Sequence, residues 1–255
     1  MINNRVIPVL LLRNLGFGME KTINFKNPKY VGDCLNAVKI FNEKLVDELI
    51  ILDYRCSTDG REPDYKKINS LATECFMPLS YGGGISSLDQ AKKIFNQGIE
   101  KIIINTHSTN YKLIEDISKV YGSQSIIVSL DYKKNFFGKI DFYLKSGNIK
   151  IKSGIETHIE NLKNSGVGEI IIQSIDKEGT MKGYDYSLFN KIGSLIDCPL
   201  IALGGASGID DFTLALRNGA DAVAGGSYFI YYGKHKAVLI NYPTQQEINK
   251  IINDE

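Results

Sequence analysis

Leu79-Ser-Tyr-Gly-Gly-Gly-Ile85 is a short apolar run ending in three glycines, and Ser86-Ser-Leu-Asp89 directly after it reads as a helix start. Glycines at such a junction let backbone N–H groups crowd against an anion at the positive end of the following helix. A second copy stands at Leu200-Ile-Ala-Leu-Gly-Gly-Ala-Ser-Gly208, and aligning Gly83 with Gly204 gives an offset of 204 − 83 = 121. The same offset relates Gly98-Ile-Glu-Lys-Ile-Ile-Ile-Asn-Thr106 to Gly219-Ala-Asp-Ala-Val-Ala-Gly-Gly-Ser227, and Glu48-Leu-Ile-Ile to Glu169-Ile-Ile-Ile (219 − 98 = 169 − 48 = 121). One spacing recurring in three places argues for two related halves. Each half carries one phosphate cradle, so the expected ligand carries two phosphates.

Working outward, strand-length apolar runs recur at Val6–Leu11, Leu49–Leu52, Leu79–Tyr81, Lys101–Ile104, Ile126–Leu130, Ile170–Gln173, Leu200–Leu203 and Ala222–Ala224, eight in all. Helical patterns fill most gaps, at Val31–Leu45, Tyr65–Cys75, Leu88–Gln97, Tyr111–Tyr121, Glu156–Asn164, Ser187–Leu195 and Asp210–Asn218. Near-continuous Ile, Leu and Val strands alternating with amphipathic helices predict a parallel sheet buried on both faces. Eight such units in two halves predict an α/β fold, a closed (β/α)8 barrel built from two half-barrels, with function at the C-terminal strand ends.

The bulk numbers fit one domain over residues 1–255, a length that an α/β barrel routinely takes. Apolar content of 43% supports a large core, and a net charge of +1 with scattered Lys and Glu leaves no basic stripe for nucleic acid. The first apolar run, Val6–Leu12, is far shorter than the ~18 residues of a membrane span, and no signal peptide precedes it. A cytoplasmic protein is expected. Cys34, Cys56, Cys75 and Cys198 are scattered, without a Cys-x-x-Cys pair or clustered histidines, so they read as reduced and structural, with no metal and no cofactor.

Two connections exceed what the fold requires. Asn14–Lys29 contains Gly16, Gly18, Lys21 and Pro28 and is expected to be a mobile lid. Lys134–Ile151 alternates apolar and polar residues around a Lys-Ser-Gly turn and predicts an inserted β-hairpin. The tail Gln245–Glu255 is expected to be a last short helix.

Asp131 ends the fifth apolar run, where a carboxylate is placed for general acid/base work or, more plainly, to cap the next loop. Asp53 and Asp176 reach the same face, to bind or to tie loops together. Gly82-Gly83-Gly84 pairs with Asn105-Thr106, and Gly204-Gly205 with Gly225-Gly226-Ser227, each set offering the amides and a hydroxyl that a phosphate dianion needs. Lys21 is either an anion clamp or a solvated loop lysine. Arg5, Glu48, Lys101 and Glu169 fall at strand starts, hence at the opposite end. From spacing alone they read as four exposed charges, because burying charge there is costly unless it is paired.

Arg5-Val-Ile-Pro8, Asp47-Glu-Leu-Ile-Ile-Leu-Asp53, Gly82-Gly-Gly-Ile85, Ile104-Asn-Thr106 and above all Ser174-Ile-Asp-Lys-Glu-Gly-Thr-Met-Lys-Gly-Tyr-Asp185 resemble the cyclase subunit of imidazole glycerol phosphate synthase, with similarity from Arg5 to about Phe229. The resemblance implies a lyase-type synthase barrel of histidine biosynthesis, forming a heterodimer with a glutaminase subunit docked at its N-terminal end. Ammonia from that partner would cross the barrel and attack a bis-phosphorylated ribonucleotide. Carried over by position, Gly83, Asn105, Thr106, Gly204, Gly205 and Ser227 match substrate and phosphate sites, and Asp176 is expected to join them from its place at the strand end. Lys21 matches the mobile-loop lysine, Asp131 a catalytic aspartate, and Arg5, Glu48, Lys101 and Glu169 the ammonia gate, which reverses the reading of those four from spacing.

The chain departs from that pattern at its chemical centre. Leu11 stands where the family places its other catalytic aspartate, and Gln173 and Leu203 replace small hydroxyl residues. An isobutyl group can neither accept nor donate a proton, so an altered or slowed reaction is expected. The alternative is a conduit that passes ammonia from a glutaminase to a sugar amidotransferase making amidinated surface polysaccharide. A related sugar-phosphate isomerase barrel ranks third, since it needs no gate.

Overall fold

A computed structural model describes residues 4–14 and 16–253. Its first half runs β1 (Arg5–Leu12), β2 (Gly18–Ile23), β3 (Lys26–Asp33), α1 (Cys34–Glu43), β4 (Leu49–Leu52), α2 (Tyr65–Glu74), β5 (Leu79–Gly82), α3 (Leu88–Phe95), β6 (Lys101–Ile104) and α4 (Tyr111–Tyr121). The second runs β7 (Ile126–Lys134), β8 (Ile140–Leu144), β9 (Ile149–Lys150), α5 (Ile155–Asn164), β10 (Glu169–Ser174), α6 (Phe189–Gly193), β11 (Leu200–Leu203), α7 (Ile209–Arg217), β12 (Ala222–Gly225), α8 (Ser227–Ile230), β13 (Tyr231–Tyr232), β14 (Ala237–Val238) and α9 (Gln245–Asn253). Strands β1, β4, β5, β6, β7, β10, β11 and β12 pair in parallel in that order, and β12 closes on β1. This is the (β/α)8 barrel expected from the sequence.

The repeat is carried by several pairs of elements. β5 and β11 start at 79 and 200, β6 and β12 at 101 and 222, α1 and α5 at 34 and 155, and α3 and α7 at 88 and 209, each pair 121 apart. Gly98 and Gly219, at matching turns, share a φ of 94°.

Strand alternation sorts the core into two layers. Ile7, Val9, Ile50, Ile103, Ile127 and Ile171 belong to an inner cluster that fills the barrel, and their sequence neighbours join a larger cluster between barrel and helices. Helix spacing supplies the outer layer, as in α1, where Cys34, Ala37, Val38 and Phe41 are buried one turn apart. Asp33, Asp64, Ser87 and Asn110 each accept a backbone N–H from the first turn of α1 to α4 and satisfy donors left open there.

The second insertion is the hairpin the alternation predicts, with β8 and β9 antiparallel across a turn in which Lys145, Ser146 and Gly147 all have positive φ. The first insertion is paired strand rather than irregular loop. Past Leu15, which lies outside the described residues, β2 and β3 form an antiparallel hairpin that extends β1. Glycine content hid this strand pairing, although Gly18 and Gly32 are themselves paired in it, opposite Asp33 and Met19. The terminal helix ends at Asn253; Asp254 and Glu255 lie outside the described residues. Among the described residues no helix is long and apolar enough to cross a membrane.

Candidate active site

Both glycine clusters lie at the C-terminal strand ends, where they line two lobes of one mouth. The first lobe holds Gly83, Asn105, Thr106 and Asp131, and the second holds Lys21, Gly204, Gly205 and Ser227. The larger lobe encloses about 820 Å³ and the smaller about 430 Å³, open space at the mouth included.

The glycines are needed by contact as well as by conformation. Gly83 has φ 141°, and a Cβ there would meet the Asp53 carbonyl oxygen at 2.6 Å. Gly205 has φ 112°, and a Cβ there would sit 2.3 Å from the Gly183 carbonyl oxygen. Each cluster therefore brings bare backbone against a neighbouring loop.

Lys21 is neither solvated nor waiting in an open loop. Strand β2 buries it, its Nζ donates to the Val9 carbonyl at 2.9 Å, and a Cβ on Gly226 would collide with that ammonium. The cation is already seated in the second cradle. Burial lowers its pKa to about 8, against the pull of the Glu178 carboxylate.

Asp131 is buried in the first lobe and accepts a hydrogen bond from Ser129 Oγ at 3.0 Å. Loss of solvent pushes its pKa up to about 7, the Ser129 hydrogen bond opposes that shift, and the nearby Glu178 charge adds to it. A carboxyl so poised can hold or release a proton near neutral pH. Asn105 is held between the Ser129 carbonyl, to which it donates at 3.0 Å, and the Lys145 N–H at 3.2 Å. Asp53 is gripped by Arg61 through both guanidinium nitrogens at 3.0 and 3.2 Å, which fixes the wall behind Gly83.

Asp176 lies outside both lobes. It is exposed and accepts the Lys134 backbone N–H at 3.0 Å, so it ties two loops together. Two residues on, Glu178 takes the place in the mouth. It is buried, accepts from Thr22 Oγ1 at 2.9 Å and from the Phe25 N–H at 3.0 Å, and so pins the β2–β3 hairpin over the site. The diagnostic stretch Ser174–Asp185 contained it, but only the turn at Ile175–Lys177 decides which acid faces inward. Tyr132 points away from the mouth and donates to Asp185 at 3.1 Å, so it offers no proton to the site.

At the other end, Arg5, Glu48, Lys101 and Glu169 close a ring. Arg5 reaches Glu48 at 2.6 Å and Glu169 at 2.8 Å, while Lys101 reaches the same two at 3.2 and 2.7 Å. Ser80 Oγ donates to Glu48 at 2.9 Å. Burial alone would lower the Arg5 pKa, and contacts with Glu169 and Glu48 outweigh it and hold it above its ordinary value. Alternating signs let two buried carboxylates and two partly buried cations neutralise one another across the axis.

A family model described as "Histidine biosynthesis protein" matches residues 5–236. The chain is 46% identical to the "Putative imidazole glycerol phosphate synthase subunit hisF2" of Pseudomonas aeruginosa over 253 residues, covering 98% of this chain and 99% of that one. It is 33% identical to imidazole glycerol phosphate synthase subunit HisF of Dictyoglomus turgidum over 230 residues, 90% of each chain. The corresponding subunit of Chlorobium limicola is 35% identical over 237 residues, 90% of this chain and 91% of that one.

Proposed function

Because this chain belongs to the histidine biosynthesis protein family, we propose that it is the synthase (cyclase) subunit of a glutamine-amidotransferase complex. A glutaminase docked at the N-terminal end of the barrel releases ammonia beneath the ring of Arg5, Glu48, Lys101 and Glu169. Ammonia travels along the barrel interior to a bis-phosphorylated ribonucleotide held across the mouth. One phosphate lies on Gly83, Asn105 and Thr106, the other on Lys21, Gly204, Gly205 and Ser227.

The observation that carries this reading is one mouth with two glycine cradles on the same face, above a charged ring that closes the opposite end. An elongated dianion gripped at both ends leaves its middle against the floor between the lobes. Asp131 serves there as a proton donor below its raised pKa. Conversion of the ribonucleotide with ammonium salts tests the reading, with Leu11→Asp beside the parent chain. Turnover and binding that respond to Gly83 and Gly205 substitutions are expected; if neither protein turns over or binds the ribonucleotide, the reading is wrong.

Leu11 favours a second reading. Hydrocarbon at a position where the family's chemistry needs a carboxylate suits a barrel that activates a glutaminase and hands ammonia on to a sugar amidotransferase for amidinated surface polysaccharide. Co-purification with both enzymes, and sugar amination that depends on this chain, would support that reading. Failure of any glutaminase to bind removes it.

A further inference from the structure

Five of the described residues line both lobes of the mouth, namely Leu11, Leu52, Gln173, Glu178 and Leu203. They form the wall against which the middle of a molecule anchored in the two cradles must lie. Three are hydrocarbon and one is a neutral amide, so neither kind can take up a proton at neutral pH. Glu178 alone of the five is ionisable. We propose that Glu178 is the second carboxylate of this site and performs the proton transfer that Leu11 cannot.

Position and support both fit the role. Glu178 is buried on the loop that follows β10, and the β2–β3 hairpin fixes it through Thr22 Oγ1 and the Phe25 N–H. Those two donors hold the carboxylate at a fixed place on the wall. The charged groups that face it are Asp131 from β7 and Lys21 from β2, and the influence of Glu178 is felt at both. The wall therefore presents a proton acceptor beside a proton donor, supplied by β7 and by the β10 loop rather than by β1 and β7.

The step balances without a further reactant. The lone pair of ammonia forms a C–N bond to an electrophilic carbonyl carbon of the substrate, and the C=O π pair moves onto oxygen. Neutral Asp131 gives its proton to that oxygen, and the added nitrogen loses one proton to the Glu178 carboxylate. Asp131 ends ionised and Glu178 protonated, and exchange with solvent restores both before the next turnover.

This inference rests on the reaction given under Proposed function, and the experiment separates the two. Turnover of the ribonucleotide with ammonium salts is measured across pH for the wild type, Glu178→Gln, Leu11→Asp and the double variant Leu11→Asp/Glu178→Gln, with binding of the ribonucleotide followed by calorimetry. Glu178→Gln is expected to lower kcat by about 100-fold or more, to leave the dissociation constant within about threefold, and to erase the acid-side limb of the pH–rate profile. Leu11→Asp is expected to recover at least about tenfold of that loss when combined with it. Asn24→Gly checks for mere loosening of the hairpin, since it removes a 2.9 Å bond from Asn24 to the Ile175 carbonyl at a position whose φ of 52° suits glycine. It is expected to raise KM and keep the wild-type pH profile.

Wild-type kcat in Glu178→Gln, or the same loss and profile in Asn24→Gly, overturns the proposal while the reaction stands. An inactive wild type beside an active Leu11→Asp also overturns it, because Glu178 then fails to substitute. Inactivity of every variant despite binding overturns both the proposal and the reaction it serves.

Discussion

Leu11 and Asp131 occupy equivalent points of the two half-barrels. Leu11 stands opposite Leu52 on β4 and Asp131 opposite Gln173 on β10, and 52 and 173 differ by the repeat spacing of 121. The residues themselves are 120 apart, one short of the repeat, and both line the first lobe. One backbone position thus carries a carboxyl in one half and hydrocarbon in the other.

Leu11→Asp places a carboxyl group beside Leu52 and Leu203, and even in its neutral form a polar group buried there without a partner costs about 1–3 kcal/mol. Thermal unfolding is expected to show the loss. Because Glu178 already supplies a base, kcat in the otherwise unaltered chain should rise by less than about tenfold, well short of what a full general acid or base contributes.

Asp131 makes stability depend on pH. Its folded pKa of about 7 lies above its ordinary 3.8, so the fold favours the neutral form. That contribution is complete below pH 4 and is lost as pH rises toward 7, by up to about 4 kcal/mol from about 3 units of separation. Asp131→Asn is expected to match the wild type in urea unfolding near pH 4 and to exceed it at pH 8. Parallel curves at both pH values would contradict the burial argument.

Lys21 should make anion binding fall as pH climbs through about 8, where the seated ammonium loses its proton. Titration with inorganic phosphate at pH 7 and pH 9 measures this. Lys21→Met is expected to bind about tenfold more weakly at pH 7, as loss of a charged hydrogen bond of roughly 1.5 kcal/mol implies, and to show no such drop.

Arg5→Ala leaves Glu48 and Glu169 with Lys101 as their remaining partner in the ring. Two buried carboxylates left with a single cation should cost about 3–5 kcal/mol in chemical unfolding. With a glutaminase bound, glutamine-dependent turnover is expected to fall while ammonium-dependent turnover holds. Equal losses in both would detach the ring from ammonia entry.

Strand existence, strand order and the doubling were legible in the sequence because they follow from hydrophobic period and from one spacing that recurs. β4, β6 and β11 fall at the predicted residues, and both glycine clusters arrive on one face as the repeat requires. The burial of Lys21 was not legible, since a glycine-bearing stretch gives no local sign of the hairpin that encloses it.

What the amino-acid order determined by itself was the barrel, the pair of glycine clusters and the absence of a proton carrier at residue 11. Only the folded chain decided that four charges at separate strand starts meet in a ring, that Asp176 turns out to Lys134, and that Glu178 turns in. The physical reason is common to all three. Alternation along a strand is a local property that sequence carries, whereas convergence on an axis and the direction of a loop side chain depend on closure between residues more than a hundred positions apart, such as Arg5 and Glu169 or Thr22 and Glu178.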